Sequence, residues 1–591
     1  MGRMIIAKGE EHVRIYLRRR DYTGERMGAR MGGRAEGARE RLFLCLAGLA
    51  TALWLPLSAP AQRGPNEERF QQMLQRFPDA DLNKDGHLTM DGFREFRRKT
   101  GTGAEAASAR PATEARGAPS SAVAAAPATG PVEIQVASGK PIPVNPRVYG
   151  IVCAEMFRRD LVDNPQYIAA VTELKFKTFL YPGGSASYYH HPKGTGGFNV
   201  RPEEAQDSAE GKQSQWMQYA SGPDHFEQYI QLVKASGGEA VFVANVLNGT
   251  VDELDEFLSR LRAADIPIAC VALGQEMHLG PARSLGLDGY VERIKPLIAM
   301  LQAKYPTVAI VAPATPVGRG ADRGSDSFHE WNKALAKLPG ISGFSQYGWT
   351  EFGGQPRLGS TQAAADERPD EIWRKYEEFV KAFPTAQIPT YQADWGADKR
   401  MYLTQWGTHA DRNTPVQGLH IANFYFFMAE HNATHGDYFA AATAALNLAA
   451  DVSKGARLGG AMYGKTVELL TPYLYAKPFR HLFNGDKKLL SVAVNGARNE
   501  PGGDKVKALA AVGPDGREYL YLLNSGPAVA LGALIVDGET LPAGLRVQVE
   551  SVFSDAAASA PVKSVSGEMP LRDLALEPWS LTLVIVPRHS T

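Results

Sequence analysis

The sequence predicts a parallel β/α barrel joined to an all-β sandwich, and three observations predict it. Apolar strands alternate with helix-spaced segments over about 300 residues, between positions 146 and 452. After Gly455 the texture changes to short strands separated by Gly, Pro, Asp and Asn. An apolar run, Ile266–Leu273, ends on Gly274 and is followed at once by a carboxylate, Glu276. A carboxylate just past the carboxyl end of a buried strand is where such barrels keep their chemistry. A doubly wound sheet is the alternative reading of the alternation.

Length and composition bound the rest. A chain of 591 residues exceeds one domain, and Lys plus Arg equals Asp plus Glu at 64 each. That balance gives no sign of a nucleic-acid partner. The three cysteines, Cys45, Cys153 and Cys270, form neither a disulfide framework nor a zinc spacing. Cys153 and Cys270 read as small buried hydrophobes.

Positions 1–61 read as a targeting segment. Arg- and Gly-rich sequence precedes the apolar Leu42–Leu57, and Ala59-Pro60-Ala61 supplies a cleavage pattern. The basic part is long, so Met27 and Met31 are alternative starts. Pro56 and the lack of a later long apolar segment argue against a lasting membrane span. The expected location is secreted or periplasmic. Positions 66–100 then hold DADLNKDGHLTMDGF, which resembles an EF-hand calcium loop. Asp81, Asn83 and Asp85 supply side-chain oxygens, Gly86 the turn and His87 a backbone carbonyl. Position 12 of the loop is Gly92 rather than a bidentate Glu, so Ca2+ binding is expected to be weak. A decayed helix–loop–helix is the competing reading. Positions 101–131 are rich in Ala, Pro, Ser, Thr and Gly and read as a linker.

From Val132 folded texture begins. Val132–Val136 alternates as a strand and, having no helix of its own, is expected to pair into the sandwich with 455–591, so that 132–145 joins that domain. The barrel strands read as the stretch ending at Glu155, then Phe176–Tyr181, Ala240–Val246, Ile266–Leu273, Val308–Ala312, Ile341–Tyr347 and Met401–Trp406. Helices are expected at Phe226–Ala235, Val251–Ala263, Tyr290–Tyr305, Trp331–Leu338, Glu371–Ala382, His420–Asn432 and Asp437–Leu448.

Several short pieces fall in a telling order. VYGIVCAE ends at Glu155, FLYPGG carries Tyr181 and Gly183, and GPDHFEQYIQLVKASGGEAVFVANVLNG leads to Asn245. GQE carries Gln275 and Glu276, SQYGW carries Gln346 and Tyr347, and TQWG carries Gln405 and Trp406. From about Val132 to Val586 this pattern resembles the clan A glycoside hydrolases built as a barrel plus β-sandwich. It looks closest to the α-L-arabinofuranosidases, with the heparanase-like β-glucuronidases close behind. The resemblance implies a carbohydrate partner, no cofactor for catalysis, Glu276 as acid/base and the residue before Trp406 as nucleophile. It also implies substrate contacts from Glu155, Tyr181, Asn245, Gln275, Gln346, Tyr347 and Trp406.

The departures from that pattern carry the chemistry. Retaining hydrolysis needs two carboxyl groups about 5–5.5 Å apart. The nucleophile position is Gln405, a neutral amide that keeps the shape of Glu without its charge. Gln275 replaces the Asn before the acid, and Gln346 replaces a His. Three readings follow: an exported glycoside hydrolase with altered, non-retaining machinery; a non-catalytic carbohydrate-binding pseudoenzyme; or a calcium-dependent surface protein. Asp394 and Glu351 are spare carboxylates close in sequence to the site motifs. His190-His191 resembles a zinc pair but reads more simply as solvated loop.

Overall fold

The computed structural model describes residues 5–9, 12–16, 131–153, 164–201, 203–204, 224–278, 280–317, 326–350, 369–408, 413–446, 449–451, 467–496, 505–556 and 561–588. The stretch read as a targeting segment (its residues 5–9 and 12–16 apart), the loop with Asp81, Asn83, Asp85 and His87 read as EF-hand-like, positions 101–130 of the stretch read as a linker, Glu155 and Glu351 lie outside the described residues. The chain divides into two compact units, Met1–Ala122 and Val123–Thr591. In the first, β1 (Ile5–Gly9) and β2 (His12–Tyr16) form an antiparallel hairpin.

The second unit contains a closed barrel of eight parallel strands: β4 (Gly150–Val152), β5 (Thr178–Tyr181), β6 (Glu239–Val243), β7 (Ile268–Ala272), β8 (Ala309–Pro313), β9 (Gly343–Thr350), β10 (Arg400–Thr408) and β11 (Phe439–Ala444). Strand β11 pairs with both β10 and β4 and so closes the ring. Seven of these strands are where the sequence places them to within a few residues. The eighth corrects an expectation: part of the stretch read as the helix Asp437–Leu448 is β11, FAAATA. Alanine favours helix on its own. Here Ala441 faces the barrel interior while Phe439, Ala442 and Ala444 face the helix layer, and pairing with two neighbouring strands outweighs local propensity.

The helices lie between the strands: α1 (Pro165–Leu174), α2 (His225–Ser236), α3 (Val251–Ala263), α4 (Gly286–Lys304), α5 (Asp326–Ala336), α6 (Pro369–Ala382), α7 (Ile388–Trp395), α8 (Pro415–His435) and α9 (Thr471–Ala476). Their starts are chemically marked. Asn164, Asp224 and Thr414 accept backbone N–H bonds as caps, and Thr250 with Glu253 forms a capping box on α3. A π-helical turn, Phe383–Gln387, joins α6 to α7 and contains Pro384. Among the described residues no helix is long and apolar enough to cross a membrane.

Inside the barrel Val152, Leu180, Val241, Val243, Cys270, Ala272, Val311, Tyr402 and Ala441 form one packed cluster. The layer between barrel and helices is larger and rich in aromatic rings. Cys153 and Cys270 are free and fully buried, and burial pushes both thiols up, Cys270 to about 12.

After the barrel, β12 (Ala449–Asp451) and β13 (Val467–Leu469) pair antiparallel. A curled, mostly antiparallel sheet contains β3 (Val132–Pro143), β14 (Lys488–Asn495), β15 (Val506–Val512), β16 (Glu518–Asn524), β17 (Val529–Val536), β18 (Glu539–Thr540), β19 (Arg546–Phe553), β20 (Lys563–Pro570) and β22 (Ser580–Val586), with β21 (Ala575–Leu576) paired to β17. As expected, β3 joins this sheet, antiparallel to β14 and parallel to β17. Its inner face packs a separate apolar core around Leu520, Leu522 and Val584. Polar contacts tie it to the barrel. Arg480 makes a two-pronged bond to Glu550 on β19, and Lys507 on β15 pairs with Glu377 on α6 at 2.9 Å.

Candidate functional site

Glu276 follows β7, the fourth strand of the ring counted from β4, at its carboxyl end. The turn that presents it is tight. Gly274 has φ +88°, and a Cβ there would meet Met277 Sδ at 2.6 Å, so glycine is required. Glu276 itself has φ +47°, a left-handed conformation that a residue with a Cβ adopts at a cost. Two phenols flank it. The Tyr188 hydroxyl donates to the Glu276 carbonyl at 3.2 Å. The Tyr347 hydroxyl, from β9, is within hydrogen-bonding reach of the Glu276 backbone and the Thr404 side chain. Burial first, and the nearby Glu276 charge second, push both phenols well above their ordinary value, so they stay neutral donors.

Gln405 lies on β10, the seventh strand, and reaches the same mouth through a register shift. Met401 and Leu403 face the helix layer, and the pairing with β9 then slips between Leu403 and Gln405. After the slip Trp406 faces the helices, which leaves Gln405 turned inward. The Gln405 and Gln275 side-chain amides meet at 2.9 Å, Gln275 Nε2 to Gln405 Oε1. Gln275 is buried, and its other amide atom lies 3.0 Å from Ser187 Oγ. Ser187 in turn sits 2.6 Å from the Gly184 carbonyl oxygen. The mouth thus holds a ladder Gly184–Ser187–Gln275–Gln405 beside Glu276.

Gln275, Glu276, Tyr347 and Gln405 are therefore brought together as the motif order implies. The other expected contacts lie elsewhere. Trp406 is fully buried against Phe424 and Tyr425 of α8. Tyr181 packs in a cluster with Phe226, Tyr229 and Phe242. Gln346 points outward and donates to the Tyr391 hydroxyl on α7. Asn245 holds the loop after β5, donating to the His190 carbonyl at 3.2 Å and accepting from the Asn248 N–H at 3.0 Å.

Asp394, the spare carboxylate, sits on α7 and is engaged by His329 and Asn332 of α5, in the outer helix layer. Its contacts are with α5, and none is with the Gln405 ladder. His190 and His191 correct the reading as solvated loop, because both are about 1% exposed. His191 bridges Glu253 and Glu204, each at 3.0 Å, and pins the loop after β5 to α3. His190 stands among Tyr181, Phe242 and Phe257, and burial brings it down to about 3.

Ser187, Tyr188 and Thr404 join the site without having been singled out in sequence. The run SASYYHH after a glycine pair was the available signal: hydroxyl and aromatic side chains concentrated on a loop at a strand end.

No family model matches the chain, and no curated protein matches it. Solved structures do. A family 51 arabinofuranosidase from Xanthomonas axonopodis pv. citri aligns with a TM-score of 0.56 at 14% identity, over 77% of this chain and 99% of its own. A family 51 α-L-arabinofuranosidase from Bifidobacterium longum gives 0.55 at 15%, over 78% and 100%. The α-L-arabinofuranosidase from Thermotoga maritima, solved with arabinose, gives 0.53 at 15%, over 77% and 99%. At these identities the likeness is one of fold: a barrel with a carboxy-terminal β-sandwich, the architecture of glycoside hydrolases.

Proposed function

We propose that this chain recognises glycans at the carboxyl end of its barrel, through Glu276, and that it does not use the retaining route. One observation carries the reading. The position from which a carboxylate would attack is an amide, Gln405, hydrogen-bonded to a second amide, Gln275. An amide at that place can hold a hydroxyl or a water but cannot form the glycosyl ester or offset a developing positive charge. Any turnover then depends on Glu276 as acid/base with water as the attacking group.

Calorimetric titration of the whole protein with plant and algal oligosaccharides, alongside a panel of aryl glycosides, tests this. Saturable binding that is lost in Glu276→Ala, with little or no retaining turnover, is expected. Efficient hydrolysis with retention would sink the reading.

Export and weak calcium binding belong to the same proposal. The apolar Leu42–Leu57 and Ala59-Pro60-Ala61 support cleavage after Ala61. Asp81, Asn83 and Asp85 without a twelfth-position Glu support an affinity of about 10⁻⁴–10⁻³ M or weaker. The intact mass of exported protein and a calcium titration of the full chain check the two points.

A further inference from the structure

We infer that Ser187 sets the polarity of the amide ladder, so that Gln405 shows the barrel mouth a carbonyl oxygen and selects a neutral sugar hydroxyl over a carboxylate or sulfate. This rests on the glycan reading of the mouth and adds the ligand chemistry at one position in it.

The polarity follows from a count of protons. A serine hydroxyl has one proton to give and two lone pairs. Ser187 Oγ is 2.6 Å from the Gly184 carbonyl oxygen and 3.0 Å from the nearer Gln275 amide atom. A carbonyl oxygen can only accept, so the shorter contact takes the proton. The Ser187 lone pairs are then what Gln275 meets, and Gln275 must offer them an N–H. Its oxygen consequently faces Gln405, which donates from its own nitrogen and keeps its oxygen for the mouth. This is a half-turn of both amides from the arrangement in which Gln275 Nε2 donates to Gln405 Oε1. The half-turn preserves every distance, because the two ends of an amide have nearly the same shape. It also removes the demand that one hydroxyl proton serve two acceptors.

Burial gives the polarity force. Ser187 and Gln275 are 1% and 2% exposed, so water does not repair a mismatched pair. Gln405 is half-buried, and the end of its amide not used by Gln275 is left for a ligand. That end is an acceptor with the shape of a carboxylate oxygen but no charge. A sugar hydroxyl can donate to it. An anionic group would meet an oxygen lone pair, and Glu276, the residue after Gln275, brings a carboxylate to the same mouth. Ser187 and Gln275 are positioning residues here, acting through Gln405.

The experiment is an oligosaccharide array of neutral, uronate-containing and sulfated members, probed with the full-length protein, with affinities of the hits measured in solution. Wild type is expected to bind neutral members at least about tenfold tighter than their acidic counterparts. Ser187→Ala releases the ladder to turn either way, and the discrimination should fall to within about threefold. Ser187→Thr keeps the hydroxyl and should restore it, which a merely structural loss would not do. A wild-type preference for acidic members overturns the polarity while leaving glycan recognition intact. So does unchanged discrimination in Ser187→Ala. Binding to no member at all overturns both readings.

Discussion

At the residue scale, the proposed chemistry turns on Gln405. Replacing it by Glu puts a second carboxylate into the mouth. Like-charge repulsion should then raise the affinity of Glu276 for its proton, which an acid catalyst needs. We expect Gln405→Glu to gain measurable aryl-glycosidase activity, with an acidic limb that disappears in Gln405→Glu/Glu276→Gln. No gain in the single variant, with folding intact, would mean that Gln275 still holds the ladder out of register. Trp406 makes a contrasting case. It is fully buried among Phe424 and Tyr425. Trp406→Ala should therefore cost stability, about 3–5 kcal/mol by urea unfolding. A loss of sugar affinity at unchanged stability would show instead that the ring meets ligand.

At the element scale, the loop after β5 is held by its histidines. His191 lies between Glu204 and Glu253, with Arg201 at 2.7 Å from Glu253. His191→Leu leaves Glu204 with only the longer Arg201 contact at 3.8 Å, a loss of about 1–3 kcal/mol by the usual cost of a lost hydrogen bond to a buried polar group. Because the same loop carries Ser187 and Tyr188, limited proteolysis should cut there first in the variant. A wild-type cleavage pattern would contradict the pinning. Elements of this kind mark the limit of what was legible in sequence. Seven barrel strands announced themselves by apolar, β-branched runs ending at polar residues, and the order of motifs placed Glu276 and Gln405 on the fourth and seventh strands. The eighth strand, FAAATA, looked helical because its alanines carry a local helix preference that strand pairing in the barrel overrides. The facing of Trp406 was hidden by the slip at Thr404, which reverses the alternation of β10 and has no signature of its own. Gln346 follows the regular alternation of β9 and shares the outward face of Phe344. Ser187 and Tyr188 were hidden because a loop brings them in from another strand.

At the scale of the whole molecule, buried histidines and the barrel–sandwich contact set the response to acid. Burial brings His190 and His420 down to about 3 and His431 to about 4, against 6.5 for an exposed ring. Below pH 6.5 the unfolded chain takes up protons that the folded chain refuses, so stability is full above that point. It falls by up to about 1.4 kcal/mol per pH unit for each such ring until the folded value is reached. Glu550 behaves in the same direction at lower pH. Burial alone would raise it, but hydrogen bonds from His481 and Arg480, with the guanidinium charge, bring it to about 2. Its contribution is present above about 4.5 and is lost as pH falls toward 2. Glu430, which burial raises to about 7, offsets one of the three histidines between about pH 6.5 and 4.5, so the urea midpoint should decline steadily over that window and more steeply below 4.5. A flat profile down to pH 4 would contradict the buried neutral histidines.

The proposed barrel-mouth chemistry has no carboxylate nucleophile at position 405, and a covalent trap tests that most directly. The wild-type protein is incubated with a panel of 2-deoxy-2-fluoro glycosyl fluorides of both ring sizes and both anomers, and its intact mass is read. The account predicts an unchanged mass for wild type, with adducts, where they form, confined to Gln405→Glu. A stable fluoroglycosyl adduct on the unmodified protein, mapped to any carboxylate, would contradict it.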